Sequence, residues 1–191
     1  MNLLITGFDP FGGASINPAW EAVRLLPDQI GPYTLHKLQI PTIFEKAGKA
    51  VLDAANVIAP DVILCIGQAG GRSAVTPERI AVNIRDARIC DNVGNQPHGE
   101  LVVPDGPAAY FATVDVVSMA NAIQAQNLPG TVSNSAGAFV CNDVMYTLLH
   151  HCRNTSTKVG FIHVPYLPEQ GTPSLPLRDT VSALSAAISA L

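Results

Sequence analysis

Charge is scarce in this sequence. Only 14% of its 191 residues are charged, and 11 Lys and Arg against 15 Asp and Glu leave a formal net charge of −4. That balance excludes a basic nucleic-acid binder, and a hydrophobic content of 48% excludes a charged disordered chain. No apolar run approaches the ~18 uninterrupted residues that a membrane span requires. The opening Met1-Asn2-Leu3-Leu4-Ile5-Thr6 has neither the basic region nor the apolar length of a signal peptide, and it reads as a first strand. A soluble cytoplasmic protein, with no nucleic-acid or membrane partner, is the expectation. Cysteine is sparse too: Cys65, Cys90, Cys141 and Cys152 form no C-x-x-C pair and are too few for a disulfide scaffold. They are expected to be free thiols, so the question is which of them reacts.

What the sequence does contain is alternation of strand and helix. Asn2 to Thr6 is an apolar run feeding a turn-rich loop, and Asn17-Pro18 opens a helix to Leu26 with Asn as N-cap and Pro at the first helical position. Tyr33 to Ile40 alternates as a strand. Thr42 and Glu45 have the spacing of a capping box, which predicts a helix from about Ile43 to Val57. Asp61 to Gly67 is continuously apolar, as a strand covered on both faces would be. A strand at Arg79 to Ile84 and a long turn-rich connection over 91–107 follow. After them come a helix near Val116 to Gln126, a short strand near Thr131 to Asn134, a helix from Val140 to Cys152, a strand at Lys158 to Val164 and a last helix after Pro176.

With no repeat and no linker, this order predicts a single domain over 1–191. Its class is α/β: a three-layer α/β/α sandwich, phosphorylase- or hydrolase-like, with a mostly parallel twisted sheet. In such sheets the binding crevice lies beyond the carboxyl ends of the strands. The loops to search are therefore 7–17, 67–78, 134–141 and 163–172.

Cys141 joins the Gly-containing segment Ser135-Ala136-Gly137-Ala138-Phe139-Val140 to a helix, which puts its thiol in the first turn. Orphan N–H groups and the helix dipole favour thiolate there, and thiolate is the nucleophile; a small buried hydrophobe is the alternative. Cys65 lies mid-strand, Cys152 at a helix end and Cys90 in the long loop. A thiol acting on an amide needs a base that can also serve as an acid, and His163 ends a strand at the crevice rim. His36, His98 and the pair His150-His151 are weaker rivals, and adjacent helical positions are a poor start for a zinc site. A carboxylate to orient the imidazole could be Glu78 or Asp91, and Glu78 could equally pair with Arg79 or Arg85. Gly67-Gln68-Ala69-Gly70-Gly71-Arg72 fits neither the P-loop nor G-x-G-x-x-G, so nucleotide binding has little support.

Four blocks of sequence together resemble the pyroglutamyl peptidase I family of cysteine peptidases, also called pyrrolidone carboxyl peptidases. They are Gly7-Phe8-Asp9-Pro10-Phe11-Gly12-Gly13 with Asn17-Pro18, Gly67-Gln68-Ala69-Gly70-Gly71 with Thr76-Pro77-Glu78-Arg79, Ser135 to Asn142, and Gly160 to Gln170. The resemblance spans essentially the whole chain. It implies removal of N-terminal pyroglutamate from peptides, with Cys141 as nucleophile, His163 as base and acid, and Glu78 orienting His163. It further implies electrostatic assistance from Arg88 and a substrate pocket of Phe8, Phe11, Asn17, Gln68, Phe139 and Val140. No metal or organic cofactor is implied, and a homo-tetramer is. Where the family commonly has proline, this chain has Cys90, which leaves that loop less restrained. A nucleoside-phosphorylase-like enzyme and a non-catalytic small-molecule binding module are the alternatives.

Overall fold

In the computed structural model, which describes residues 1–191, strands and helices alternate as the apolar runs require. The chain begins with β1 (Asn2–Phe8), α1 (Pro18–Leu25), β2 (Gln29–Ile30), β3 (Tyr33–Ile40) and α2 (Lys46–Ile58). After β4 (Val62–Gln68) come five short strands, β5 (Thr76–Pro77), β6 (Ile80–Val82), β7 (Arg85–Asp86), β8 (His98–Glu100) and β9 (Ala109–Phe111). The chain closes with α3 (Val116–Ala125), α4 (Val140–Cys152), β10 (Lys158–Val164) and α5 (Leu177–Ser189).

The main sheet has six strands in the order β2-β3-β1-β4-β10-β5. Its four long strands are parallel to one another, and the two short edge strands β2 and β5 run antiparallel to their neighbours. Buried side chains of the long strands divide by alternation between two cores. Leu3, Ile5, Leu64 and Ile162 pack with α1, α3 and α5 on one face. Leu4, Ile63, Cys65 and Phe161 pack with α2 and α4 on the other. The result is a three-layer α/β/α sandwich with a mostly parallel mixed sheet, the class the sequence predicts. No helix is long and apolar enough to cross a membrane.

Local chemistry explains both the agreements and the departures. Asn17 caps α1 as expected, its side chain accepting from Ala19 N at 3.0 Å. The capping box at Thr42 does not form: Thr42 N–H donates to Asp9 Oδ1 at 2.7 Å, and its hydroxyl donates to Asp9 O. Glu45 instead takes φ +63°, its carboxylate turns to Arg85, and α2 starts at Lys46. The strand expected near Thr131 to Asn134 is reduced to single-residue bridges, Gly130 with Val75 and Ser133 with Glu78. The strand expected at Arg79 to Ile84 is cut to Ile80–Val82, paired with β9. The turn-rich connection is ordered by Asp91, whose carboxylate accepts from the backbone N–H groups of Phe44, Val93 and Asn95 and from the Asn95 amide.

The start of α4 is anchored by the two residues after Cys141. Asn142 is fully buried, accepts from Val82 N at 2.9 Å and donates to the carbonyls of Val82 and Ile84. Asp143, also fully buried, accepts from Arg85 Nε at 2.6 Å and from Glu45 N at 3.0 Å. Removing the Asn142 amide orphans three partly buried backbone groups, at roughly 1–3 kcal/mol for a fully buried unsatisfied group and less where water can reach it. Asn142→Ala should therefore lose about 2–3 kcal/mol of stability in urea unfolding. A variant within about 0.5 kcal/mol of the wild type would show that the clamp contributes little.

Candidate active site

Strand register sets the site. Along β10, His163 pairs with Gly67 of β4 on one side and with Thr76 of β5 on the other. Past β5 the edge ladder continues by one more bond, Glu78 N to Phe161 O at 2.8 Å, which brings the Glu78 side chain beside the imidazole. Glu78 Oε1 accepts from His163 Nδ1 at 2.7 Å, with the two side chains 0% and 4% exposed. The bond fixes Nδ1 as the protonated nitrogen and leaves Nε2 as the basic one. Asp91, the alternative carboxylate, is committed to its own loop, and Arg85 to Asp143 and Glu45, so neither competes for this pair.

Cys141 is the second residue of α4 and lies over the end of β4. A Cβ on Gly67 would stand 2.9 Å from Cys141 Sγ and 2.8 Å from the Phe161 ring, so only glycine lets the thiol settle against the sheet there. Phe161 in turn packs on His163 with ring centroids 4.9 Å apart. Thiol, imidazole and carboxylate thus converge at the carboxyl ends of the parallel strands, where crevices form in open α/β sheets. The other three thiols lie elsewhere: Cys65 is buried in β4, Cys90 is exposed and beside Gln96, and Cys152 ends α4. No group of three His, Cys, Asp or Glu side chains is arranged to hold a metal ion.

A cavity of about 940 Å³ opens beside these groups, lined from the four loops singled out in the sequence, with Thr42 and the 86–89 segment (Asp86, Arg88, Ile89) added. Phe8, Phe11, Asn17, Gln68 and Phe139 all line it. The Phe11 and Phe139 rings sit 6.2 Å apart, and Phe44 braces Phe139 edge-on at 5.3 Å. Asn17 is already used within the fold, holding Asp9 O through its amide N–H and Ala19 N through its oxygen. Val140 departs from expectation: as the first residue of α4 its side chain turns inward, is fully buried in the α2/α4 core and does not line the cavity. Arg88 lies exposed on the cavity wall and forms no ion pair.

Sequence reasoning passed over Arg72, Tyr166 and Gln170. Tyr166 lies against the backbone of Gly70, where a Cβ would fall 2.1 Å from its hydroxyl, and Gln170 ties Gln68 to the Ile16 carbonyl. Arg72 reaches Glu78 Oε1 at 2.5 Å. The glycines of 67–71 could have signalled close backbone approach; nothing local signals Arg72, because its partner is six residues away around a loop.

Burial governs the charges. It pushes the Cys141 thiol up to about 12, with the Glu78 charge acting in the same direction and Arg72 opposing. It also holds the His163 imidazole below its ordinary value, against the hydrogen bond and charge of Glu78 and with help from Arg72. For Glu78 burial works upward, but the bond and charge of His163 and the charge of Arg72 outweigh it, and the carboxyl stays below its ordinary value. These shifts favour, at neutral pH, a thiol, a neutral imidazole and a carboxylate. This differs from the thiolate that the helix start alone leads one to expect, because desolvation at Cys141 exceeds what the first turn supplies.

A thiol served by an imidazole and a buried acid, carried on a three-layer sandwich, defines the class as a cysteine hydrolase. The chain belongs to the pyroglutamyl peptidase family, whose family model matches residues 1–191. It is 49% identical over 197 residues to the pyrrolidone-carboxylate peptidase of Alkaliphilus oremlandii, covering 100% of this chain and 92% of the relative. It is 52% identical over 199 residues to that of Levilactobacillus brevis, covering 100% and 97%. Among solved structures, pyroglutamyl peptidase I of Bacillus amyloliquefaciens superposes with a TM-score of 0.96 at 43% identity, covering 99% of this chain and 95% of that one. The pyrrolidone carboxyl peptidase of Thermococcus litoralis gives 0.95 at 37%, covering 99% and 92%.

A neutral resting thiol has a kinetic signature. Alkylation by iodoacetamide follows the thiolate fraction, so the rate at Cys141 should climb continuously as pH rises from 6 to 9, about tenfold per unit where the thiol predominates. A rate that is flat between pH 6 and 8 would mean a preformed thiolate–imidazolium pair.

Proposed function

We propose that this chain, acting as one catalytic domain over 1–191, removes N-terminal pyroglutamate from peptides by acyl transfer through Cys141. The observation that carries the reading is the buried Glu78–His163 hydrogen bond at the carboxyl end of the sheet, next to the one thiol that borders the cavity. As Cys141 Sγ attacks the carbonyl joining pyroglutamate to the next residue, His163 Nε2 takes the thiol proton. The tetrahedral oxygen is received by backbone N–H groups at the start of α4. Phe139, the N-cap, supplies no side-chain acceptor to compete for them. His163 returns the proton to the departing amine, leaving a pyroglutamyl thioester. Water, deprotonated by the same imidazole, then hydrolyses it to pyroglutamate and free thiol. Glu78 keeps the imidazole in the Nδ1–H tautomer and stabilises it while it is cationic. This sequence of steps calls on no metal and no organic cofactor.

The cavity suits the substrate chemically. A pyroglutamyl group is a neutral five-membered lactam without an α-ammonium, so its pocket needs apolar walls and a few neutral polar groups. Phe8, Phe11 and Phe139 supply the first, and Gln68 and exposed backbone the second. Arg88, on the same wall, is suited to assist electrostatically as the leaving peptide passes. Peptides bearing N-terminal pyroglutamate are the partners on this reading. A cytoplasmic homo-tetramer completes it and rests on the family resemblance.

The test is hydrolysis of a pyroglutamyl-arylamide. The wild type should release arylamine, and the glutaminyl analogue should be cleaved hundreds-fold less well, since its ammonium would be buried without a partner at a cost of several kcal/mol. Cys141→Ala and His163→Ala should leave almost no turnover. Glu78→Gln should lower kcat by about 10²–10⁴-fold with little change in KM. Wild-type turnover by Glu78→Gln, or comparable cleavage of the free-amine substrate, would overturn the reading.

A further inference from the structure

One buried carboxylate oxygen in the site has two suitors. Glu78 Oε1 meets Arg72 Nη1 at 2.5 Å as well as His163 Nδ1 at 2.7 Å, while Glu78 Oε2, buried in the same place, has no hydrogen-bond partner. The guanidinium makes two further contacts at the site's edge. Nη1 also contacts the Thr76 hydroxyl at 2.5 Å, and Thr76 Oγ1 lies 3.5 Å from the His163 carbonyl. Nη2 donates to the carbonyl of Ser135 at 3.0 Å, in the loop that delivers Cys141. Arg72 is therefore bonded at once to the strand that carries the acid, to the acid itself and to the approach of the nucleophile. Its own loop is pinned close by, through Ala69 N to Val164 O at 2.9 Å.

We propose that Arg72 is a positioning residue for the catalytic pair: it shares Glu78 Oε1 with His163, fixes the carboxylate against the Cys141 loop, and moderates how strongly Glu78 attracts a proton to the imidazole. The proposal rests on the reading of Cys141, His163 and Glu78 as the reacting set. The distribution of charge explains why such a residue is useful. Glu78 alone, with both oxygens shielded from water, would draw His163 into its cationic form at neutral pH and remove the base. A permanent cation on the same oxygen weakens that pull without displacing the hydrogen bond that sets the tautomer. Arg72 accordingly opposes protonation of His163, and it opposes the upward push on the Cys141 thiol. The neutral base and the attacking thiolate are both favoured by one guanidinium. Lysine would retain the charge but not the fork that reaches Oε1 and the Ser135 carbonyl together.

Two variants and two measurements test this. In Arg72→Gln the acidic limb of the kcat/KM–pH profile for a pyroglutamyl-arylamide should move to higher pH by about half a unit to one unit. Alkylation of Cys141 by iodoacetamide at pH 8 should slow by about three- to tenfold. In Arg72→Lys the limb and the alkylation rate should stay near those of the wild type, while kcat falls several-fold through looser placement of Glu78. A rate loss in Arg72→Gln that is equal at every pH, with unchanged alkylation, would reduce Arg72 to a structural tether. If Arg72→Gln fails to fold, an Arg72→Lys protein with a displaced limb or with full kcat refutes the proposal. Alkylation needs no turnover, so it judges Arg72 even if the wild type fails to cleave the pyroglutamyl substrate, which would instead overturn the functional reading.

Discussion

A carboxylate buried at the edge of a sheet is the constraint around which the site is arranged. Glu78 has no exposed surface, and an ionised acid without partners in such a place costs several kcal/mol. The fold meets that cost with His163 and Arg72, both on Oε1. The two come from different segments, so the charge holds together β10 and the loop after β4, and Arg72 extends the link to the Ser135 carbonyl. The antiparallel edge strand β5 is what makes this possible. By running opposite to β10 it brings Thr76 level with His163 and carries the chain on to Glu78.

Cys141 is placed by a separate set of contacts. Gly67 leaves room for the thiol against the sheet, and Asn142 and Asp143 lock the first turn of α4 to β6, Arg85 and Glu45. Glu78 and His163 are thus tied to the sheet and Cys141 to a helix, with Arg72 and Ser135 linking the two. The same burial that makes the placement rigid keeps the resting thiol and imidazole neutral. On the proposed mechanism, charge develops as the sulfur attacks a substrate carbonyl, in a partly desolvated site where fixed dipoles act more strongly than in water.

Much of this was legible in the sequence, for identifiable reasons. Of the long parallel strands, β1, β4 and β10 announce themselves as largely apolar runs and β3 by its alternation, while α1 begins at the Asn17 cap and α5 just after Pro176. The strands β2, β5, β8 and β9 have two or three residues each, too few for any period to show. The capping box at Thr42 misled because a tertiary partner, Asp9, outbid the local one. Position at strand and helix ends singled out Cys141 and His163, but spacing alone left Glu78 level with Asp91; only the family resemblance separated them. Arg72 stayed hidden because its importance comes from three contacts made after the chain has folded.

The claim on which the account turns is that His163 rests neutral, protonated at Nδ1 toward Glu78. A ¹⁵N NMR titration of histidine-labelled protein, with His163 assigned by comparison with His163→Gln, addresses it directly. The account expects unequal ring-nitrogen shifts at pH 7, with Nδ1 protonated and Nε2 bare, and a titration midpoint below the ordinary 6.5. Two protonated ring nitrogens persisting at and above pH 7 would contradict it.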